Sequence, residues 1–404
     1  MTADEAGDDH GQAEHPAHGP RYHRVMARCS RLSLVAISIA LAACGDNYEG
    51  DAPPPPKVLS AGGPVLGKPE IVPIFFAGDD LQPQIESFLH ALPLSPYWTA
   101  TTSEYGIGTP EIEPTIVTTD PPPTTDDDLQ AWLEDHLAGP VPAQGWIAPD
   151  PNTLYIVFLP AGVTLTAGMD TSCKTFGGYH DETAQSGIVY ALVPRCPTQG
   201  EQIDEVTPPT SHELIEAVTD PRPETAPGFV TVDAPNLVWE YTPGAEVGDM
   251  CEYIAAARQR LVGEFAVQRT WSNKSAAAGH DPCVPALDLP YVAAAPILDD
   301  VVLAGTKTKG IQIANGASVS FDVRLISDRP ADAWTIKIDD VASIIQQGPA
   351  ELDCTLDRTT ASPGDTAHVT CKRLIEGEGG GSEFVLISKV DNVTTSLWWG
   401  LATN

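Results

Sequence analysis

Hydrophobic positions along the chain change their period near residue 290. Before it, unbroken apolar runs of strand length alternate with stripes at helical spacing. Residues 70–76 (Glu-Ile-Val-Pro-Ile-Phe-Phe) read as a buried strand, with Pro73 indicating a sheet edge or an irregularity. Ile85, Phe88, Leu89 and Leu92 then keep helical spacing up to Pro93, and a strand is expected at 115–118. Leu129, Trp132, Leu133 and Leu137 form the stripe of a second helix, which Thr125 and Asp128 would cap. Residues 154–159 and 188–193 are apolar runs that read as strands, the first of them central. His180 falls between them, after Phe176-Gly177-Gly178-Tyr179, in a segment whose glycines indicate a loop. This alternation predicts an α/β or α+β domain over 58–290.

After Pro290 the texture becomes that of short strands. Val319, Phe321, Val323 and Leu325 alternate with polar residues, as do Trp334, Ile336 and Ile338, then Leu352, Cys354 and Leu356. Val369, Cys371 and residues 384–387 continue the pattern. With a Ser-Pro-Gly-Asp turn at 362–365 and no helical period, 297–404 reads as an immunoglobulin-like β-sandwich. Its one histidine, His368, sits in a strand pattern and carries no chemistry. Gly379, Gly380 and Gly381 make a turn, because no Lys-Ser/Thr follows them as in a phosphate loop.

Composition adds a destination. Residues 1–43 read as a polar extension and an export signal: Arg28 and Arg31 precede an apolar run that ends in Leu41-Ala42-Ala43-Cys44. Those last four residues resemble the lipobox of bacterial lipoproteins, which implies cleavage before Cys44 and lipidation of its sulfur. Met26 is the alternative start. The apolar run is too short to span a bilayer. Residues 44–57, with four consecutive prolines, read as a stiff linker. The expected location is therefore the bacterial cell envelope, on its periplasmic or cell-surface side, with membrane lipid as a partner through Cys44.

The 55 acidic residues against 22 Lys and Arg exclude a nucleic-acid surface. Of eight cysteines, Cys29 lies in the signal and Cys44 at the lipid site. Six remain, and an even number in an exported protein reads as disulfides. Sequence proximity favours Cys173–Cys196, Cys251–Cys283 and Cys354–Cys371. No Cys-x-x-Cys occurs, which disfavours thiolate zinc sites and redox motifs.

The chemistry concentrates in Ser211-His212-Glu213-Leu214-Ile215-Glu216-Ala217-Val218-Thr219-Asp220-Pro221. As a helix it sets His212 and Glu216 one turn apart, flanked by Glu213 and Asp220, with Leu214, Ile215 and Val218 opposite. It resembles the His-Glu-x-x-His helix of zinc metallopeptidases, with Glu216 in place of the second histidine. That likeness implies zinc held by His212 and Glu216, with Glu213 as the base that activates water. Asp249 is the first choice for a third ligand, His180 the second and His280 the third. Calcium is the alternative cation, because Glu216, Asp220 and Asp249 offer oxygen to a hard ion. Against both stands a plain surface helix. There Thr210 and Glu213 close a capping box, Glu216 is solvated and Asp220 ends the helix before Pro221.

The same stretch, with Glu246-Val247-Gly248-Asp249-Met250-Cys251-Glu252, resembles the Exordium or phosphate-induced proteins of plants and their secreted bacterial relatives. Tyr97-Trp98, Glu104-Tyr105 and Gly178-Tyr179-His180 fall in similar order, and the likeness covers about 65–290. It implies an extracellular protein, associated in plants with growth signalling and the cell wall. The lipid anchor and the sandwich are not features of the plant proteins. Trp271-Ser272-Asn273 could supply a sugar-stacking ring, although a buried Trp is the commoner fate. A serine hydrolase is disfavoured, since no Gly-x-Ser-x-Gly occurs.

The reading is an envelope-anchored, peptidase-like metal-dependent hydrolase. The alternative is a non-catalytic binding or structural module for a cation, a glycan or a protein. Mass spectrometry of the mature N-terminus checks the anchor: an acylated Cys44 is expected, and an unmodified Met1 ends that reading.

Overall fold

The structure is a computed structural model that describes residues 53–404, apart from 140, 141, 144, 199, 201 and 376; the expected signal and Cys44 lie outside the described residues. Strand β1 (Glu70–Phe76) leads into helices α1 (Gln82–Ala91) and α2 (Pro96–Thr102). Short strands β2 (Glu111–Ile112) and β3 (Ile116–Thr118) follow, then α3 (Asp126–Leu137) and β4 (Thr153–Phe158). The chain continues through β5 (Tyr179–Glu182) and β6 (Val189–Val193) into α4 (Thr207–Thr219).

These six strands form one mixed sheet. β1 lies between β4 on one side and β2 with β3 on the other, β6 follows β4, and β5 closes the far edge. Every pairing is parallel except β5 with β6. Parallel strands are covered on both faces, which is why β4 and β6 are unbroken apolar runs and wholly buried. On one face Leu129, Leu133 and Leu137 of α3 pack against Val72, Ile74, Tyr155 and Val157. On the other, α1 and α4 pack against Ile71, Phe75, Ile156 and Phe158. Leu214, Ile215 and Val218 of α4 are fully buried there, each stabilising the fold by about 1.5–3 kcal/mol.

Pro73 is not on an edge: it lies in an inner strand, opposite Ile156. The other neighbour of β1 is interrupted between Ile112 and Ile116, level with Pro73, so the missing N–H falls beside a break in pairing. Thr125 caps α3 as expected, accepting from the Asp128 N–H at 3.1 Å. His180 lies in the edge strand β5 rather than in a loop.

The C-terminal region is a two-sheet sandwich. Four strands, Val292–Pro296, Ser318–Ser327, Thr366–Arg373 and Leu352–Leu356, form one sheet in that order. Six form the other, with Val393–Thr403 beside Gly381–Val390 near its middle. Val292–Pro296 pairs with Ser318–Ser327, so the sandwich takes in residues ahead of 297. One core runs from the first domain into it: Trp239 packs against Trp271, Trp398 and Trp399. Pro55 and Pro56 line the same crevice and Val58 pairs with Val232, so the last residues of the linker are docked rather than free.

All three disulfides are those that proximity favours, Cys173–Cys196, Cys251–Cys283 and Cys354–Cys371. Cys354 and Cys371 are direct partners on paired strands of the four-stranded sheet. Removing this bridge by Cys354→Ser with Cys371→Ser opens a 17-residue loop in the unfolded chain. A loss of about 3 kcal/mol is expected in denaturant unfolding, with the far-UV spectrum unchanged.

Candidate metal centre

Helix α4 starts one turn before the conspicuous stretch, with Pro208 and Pro209 in its first turn, where no N–H is needed. Thr210 and Glu213 are therefore interior, and the Thr210 hydroxyl bonds back to the Val206 carbonyl at 2.6 Å. The capping-box reading fails for that reason. The surface-helix reading fails too, because every residue of 211–220 is buried. The polar side of α4 is covered by β5, by residues 244–252 and by the hairpin of Arg258–Val262 with Phe265–Gln268. Gln268 stitches these together: its N–H donates to Ser211 Oγ at 2.9 Å and its side-chain amide to the Gly248 carbonyl at 2.8 Å.

Under that cover the expected residues meet. His212 Nε2 lies 3.0 Å from Glu216 Oε2 and 3.6 Å from Asp249 Oδ1. Ligands bound tetrahedrally to one zinc at 2.0–2.2 Å stand about 3.3–3.6 Å apart, and the three donor atoms here lie within 4.8 Å of one another. The other Glu216 oxygen, Oε1, accepts the N–H groups of Gly248 at 3.1 Å and Asp249 at 3.0 Å. His180 approaches from β5, with Nδ1 3.6 Å from Glu213 Oε2 and 3.8 Å from Glu216 Oε2. Its Nε2 is 3.1 Å from the Asp220 carbonyl, the outer contact that leaves Nδ1 turned toward the two glutamates. Asp249, the first choice for a third ligand, and His180, the second, are thus both at the centre.

Burial opposes a charged imidazole, but at both histidines the carboxylates outweigh it. Glu246, Glu213 and Glu216 push the His180 pKa up to about 10, and Glu216, Glu213 and Asp249 raise that of His212 well above its ordinary value. Burial and the Glu216 charge hold the Glu246 and Asp249 carboxyls well above the usual range. Burial likewise brings Glu252 to about 7. For Glu216 burial works against ionisation, yet His212, His180 and the Asp249 N–H keep it below the ordinary carboxylate range. The cluster is short of positive charge.

Glycines make the close packing possible. A Cβ on Gly178 would stand 2.7 Å from Glu213 Oε1, and one on Gly248 would stand 2.6 Å from Glu216 Oε1 and 3.0 Å from His212 Cε1. The segment 246–249 therefore supplies more than Asp249. Glu246 and the Gly248 backbone were not among the residues expected at the site.

Other candidates fall elsewhere. His280, the third choice, pairs with Asp328 at 3.2 Å, half exposed and away from α4. Asp220 sits beside His180 and Glu246 rather than with Asp249, so the expected calcium trio is not assembled. Trp271 is buried against Trp239 and offers no stacking face. Tyr97 and Trp98 are buried as well, bonded to the Gln268 and Gly108 carbonyls. Glu104 accepts from Ser272 Oγ and from the Asn273 and Lys274 N–H groups, at the start of helix Asn273–Ala277.

No protein-family model matches the chain, and no curated protein matches it. Among solved structures, domains 5–6 of the S-layer protein SbsC align with 27% of this chain at 14% identity and a TM-score of 0.18, and the chain spans 44% of that fragment. A conjugative transposon lipoprotein from Bacteroides eggerthii DSM 20697 aligns with 29% of this chain and 100% of its own, at 12% identity and a TM-score of 0.18. Catalytically inactive OgpA from Akkermansia muciniphila, in complex with an O-glycopeptide substrate, aligns with 85% of this chain and 94% of its own, at 11% identity and a TM-score of 0.23. Likeness at this level carries neither fold nor chemistry across.

Gly248→Ala tests the geometry of the centre. The added methyl group must displace Glu216 or His212, so affinity for any metal the cluster holds is expected to fall roughly 10- to 100-fold. A loss of about 1–3 kcal/mol in stability should accompany it, with the fold retained. Metal titration and thermal unfolding of the variant read the two effects.

Proposed function

We propose that the first domain is a zincin-like, metal-dependent hydrolase acting on peptides, carried on a lipid-anchored protein of the bacterial cell envelope. The observation that carries this reading is the convergence of His212 Nε2, Glu216 Oε2 and Asp249 Oδ1 beside Glu213. These three residues would hold zinc, which when bound polarises a carbonyl and makes water more acidic. Glu213 follows His212 directly in the helix and takes the proton of the attacking water. His180 Nδ1, 3.6 Å from Glu213 Oε2, orients that carboxylate or completes the donor set. Gly248 and Asp249 fix Glu216 through its second oxygen, so its free oxygen cannot turn away from His212. Two carboxylates with one imidazole leave the metal less electron-poor than two imidazoles would, so activity at neutral pH is expected to be modest.

The Exordium likeness supports a shared site, because its two specific motifs, 211–221 and 246–252, meet at this cluster. The second reading is a non-catalytic module in which a cation, zinc or calcium, orders the surface that meets a glycan or a protein. Depth favours it: the side chains of Glu213 and Glu216 are only 6% and 4% exposed, and Asp249 reaches 19%.

Elemental analysis with a peptide-library digest separates the two. One zinc per chain is expected in the wild type and in Glu213→Gln, and none in His212→Ala. Glu213→Gln should lose about 10²- to 10⁴-fold in hydrolysis while keeping its metal. Hydrolysis unchanged by that substitution, or a wild type that takes up no zinc, ends the peptidase reading.

A further inference from the structure

We infer that the tryptophan-lined crevice between the two domains is a polyproline-recognition site, and that the chain's own residues 53–56 are its ligand, strapped across the seam. Pro55 and Pro56 line the crevice with Trp239 and Trp271 of the first domain, Trp398 of the sandwich and Tyr291 at the junction. Pro56 is buried and Pro55 half-buried. The space left beside them is about 10 Å³, room for one water at most. The indole N–H groups of Trp239 and Trp271 are buried and donate no hydrogen bond. Beyond the prolines the chain is pinned to the first domain. The Lys57 N–H donates to Asp233 Oδ1 at 2.7 Å, and the Asn273 side chain accepts from the Val58 N–H at 2.8 Å and donates to its carbonyl at 2.7 Å.

Proline is the residue that suits such a place. Pro53, Pro54 and Pro55 each precede another proline, which keeps them out of the helical region, and each ring fixes φ, so the run favours the polyproline II helix. That helix makes no internal hydrogen bonds, so its carbonyls are free to accept, and prolines bring no N–H of their own. The crevice is the complement: aromatic rings and two donors without acceptors. Asp281, the one carboxylate that lines it, is taken by Arg269 and by the Cys283 N–H. A segment of other residues seated there would bury backbone N–H groups without partners, which is costly. Prolines are also stiff before they dock, so little freedom is lost on seating them. Trp239 and Trp398 stand 6.4 Å apart, ring to ring, so the strap closes the seam of both domains. A pull from the proposed lipid anchor would then be borne by both. None of the crevice residues belongs to the metal centre, and the inference does not rest on the hydrolase reading.

The full chain is compared with one carrying Pro53→Gly, Pro54→Ser, Pro55→Gly and Pro56→Ser, and the probe is an acetylated, amidated Pro-Pro-Pro-Pro-Lys peptide. The variant is expected to lose a few degrees of Tm and to regain them in millimolar peptide. The wild type should be indifferent to the peptide, because its own strap competes at an effective concentration in the millimolar range. A Gly-Ser-Gly-Ser-Lys peptide should restore nothing. Trp239→Phe or Trp271→Phe, added to the variant, keeps a ring and removes the N–H. Each should weaken the peptide's Kd about 3- to 10-fold, read by titrating the fluorescence of the remaining tryptophans. If circular dichroism shows that the fourfold variant fails to fold, Pro55→Ala with Pro56→Ala takes its place in the same comparison. A variant with the wild-type Tm, a fall in Tm that neither peptide repairs, equal repair by both peptides, or a Kd that neither tryptophan substitution moves overturns the inference.

Discussion

Glu216 is the residue on which the first domain's functional half turns. One carboxylate oxygen takes two backbone N–H groups from the 246–249 segment, and the other faces both imidazoles. Three separate pieces of chain, β5, α4 and the loop before Cys251, are therefore held around a single ionised group. Hydrogen bonds to ionised groups are worth roughly twice neutral ones, and breaking a buried ionic arrangement leaves its partners uncompensated. The fold must accordingly bury Glu216 with all its partners or with none. That demand explains why glycine is required at 248 and at 178, where any side chain would enter the space of a carboxylate.

The sheet sets the approach of His180. Side chains along a strand alternate between faces. Tyr179 of β5 points to the α3 side, where its hydroxyl donates to Asp126 at 2.5 Å, so His180 must point to the α4 side. Glu182, two residues on, faces the same way and holds Arg222 and Thr225, just after α4. A loop could have carried the same histidine, but the antiparallel pairing with β6 fixes its direction through the backbone.

Much of this was legible in the sequence, where local signals decide the outcome. The strands β1, β4 and β6 announce themselves as apolar runs because parallel strands are buried on both faces, and Thr125 identifies the start of α3 through its own side chain. The two motifs that meet at Glu216 could also be singled out. What their spacing does not contain is which of them meet: Glu246 and Asp220 lie 26 residues apart, and their proximity follows from the sheet and the disulfide at Cys251. β5 was hidden because it is four residues of Tyr-His-Asp-Glu, three of them polar, preceded by glycines. The capping-box signal at Thr210 was misleading for a related reason. Helix starts are read from side chains, and α4 begins earlier on two prolines whose fixed φ substitutes for a capping hydroxyl.

The sandwich then acquires a physical role in the centre it does not touch. Asp249 opens the short helix Asp249–Glu252, and Cys251 within it is bridged to Cys283. Tyr253, next along the chain, packs its ring on Trp399 of the sandwich at 5.7 Å, and Trp399 also meets Trp239. A ligand on an unanchored loop would have to be ordered when the cation arrives, at about 1–2 kcal/mol of backbone entropy per residue. Here that ordering is completed on folding, by the disulfide on one side of Asp249 and the tryptophan cluster on the other. The C-terminal sandwich thus contributes to the cluster through the stiffness of the loop that carries Asp249 rather than through a polar atom of its own.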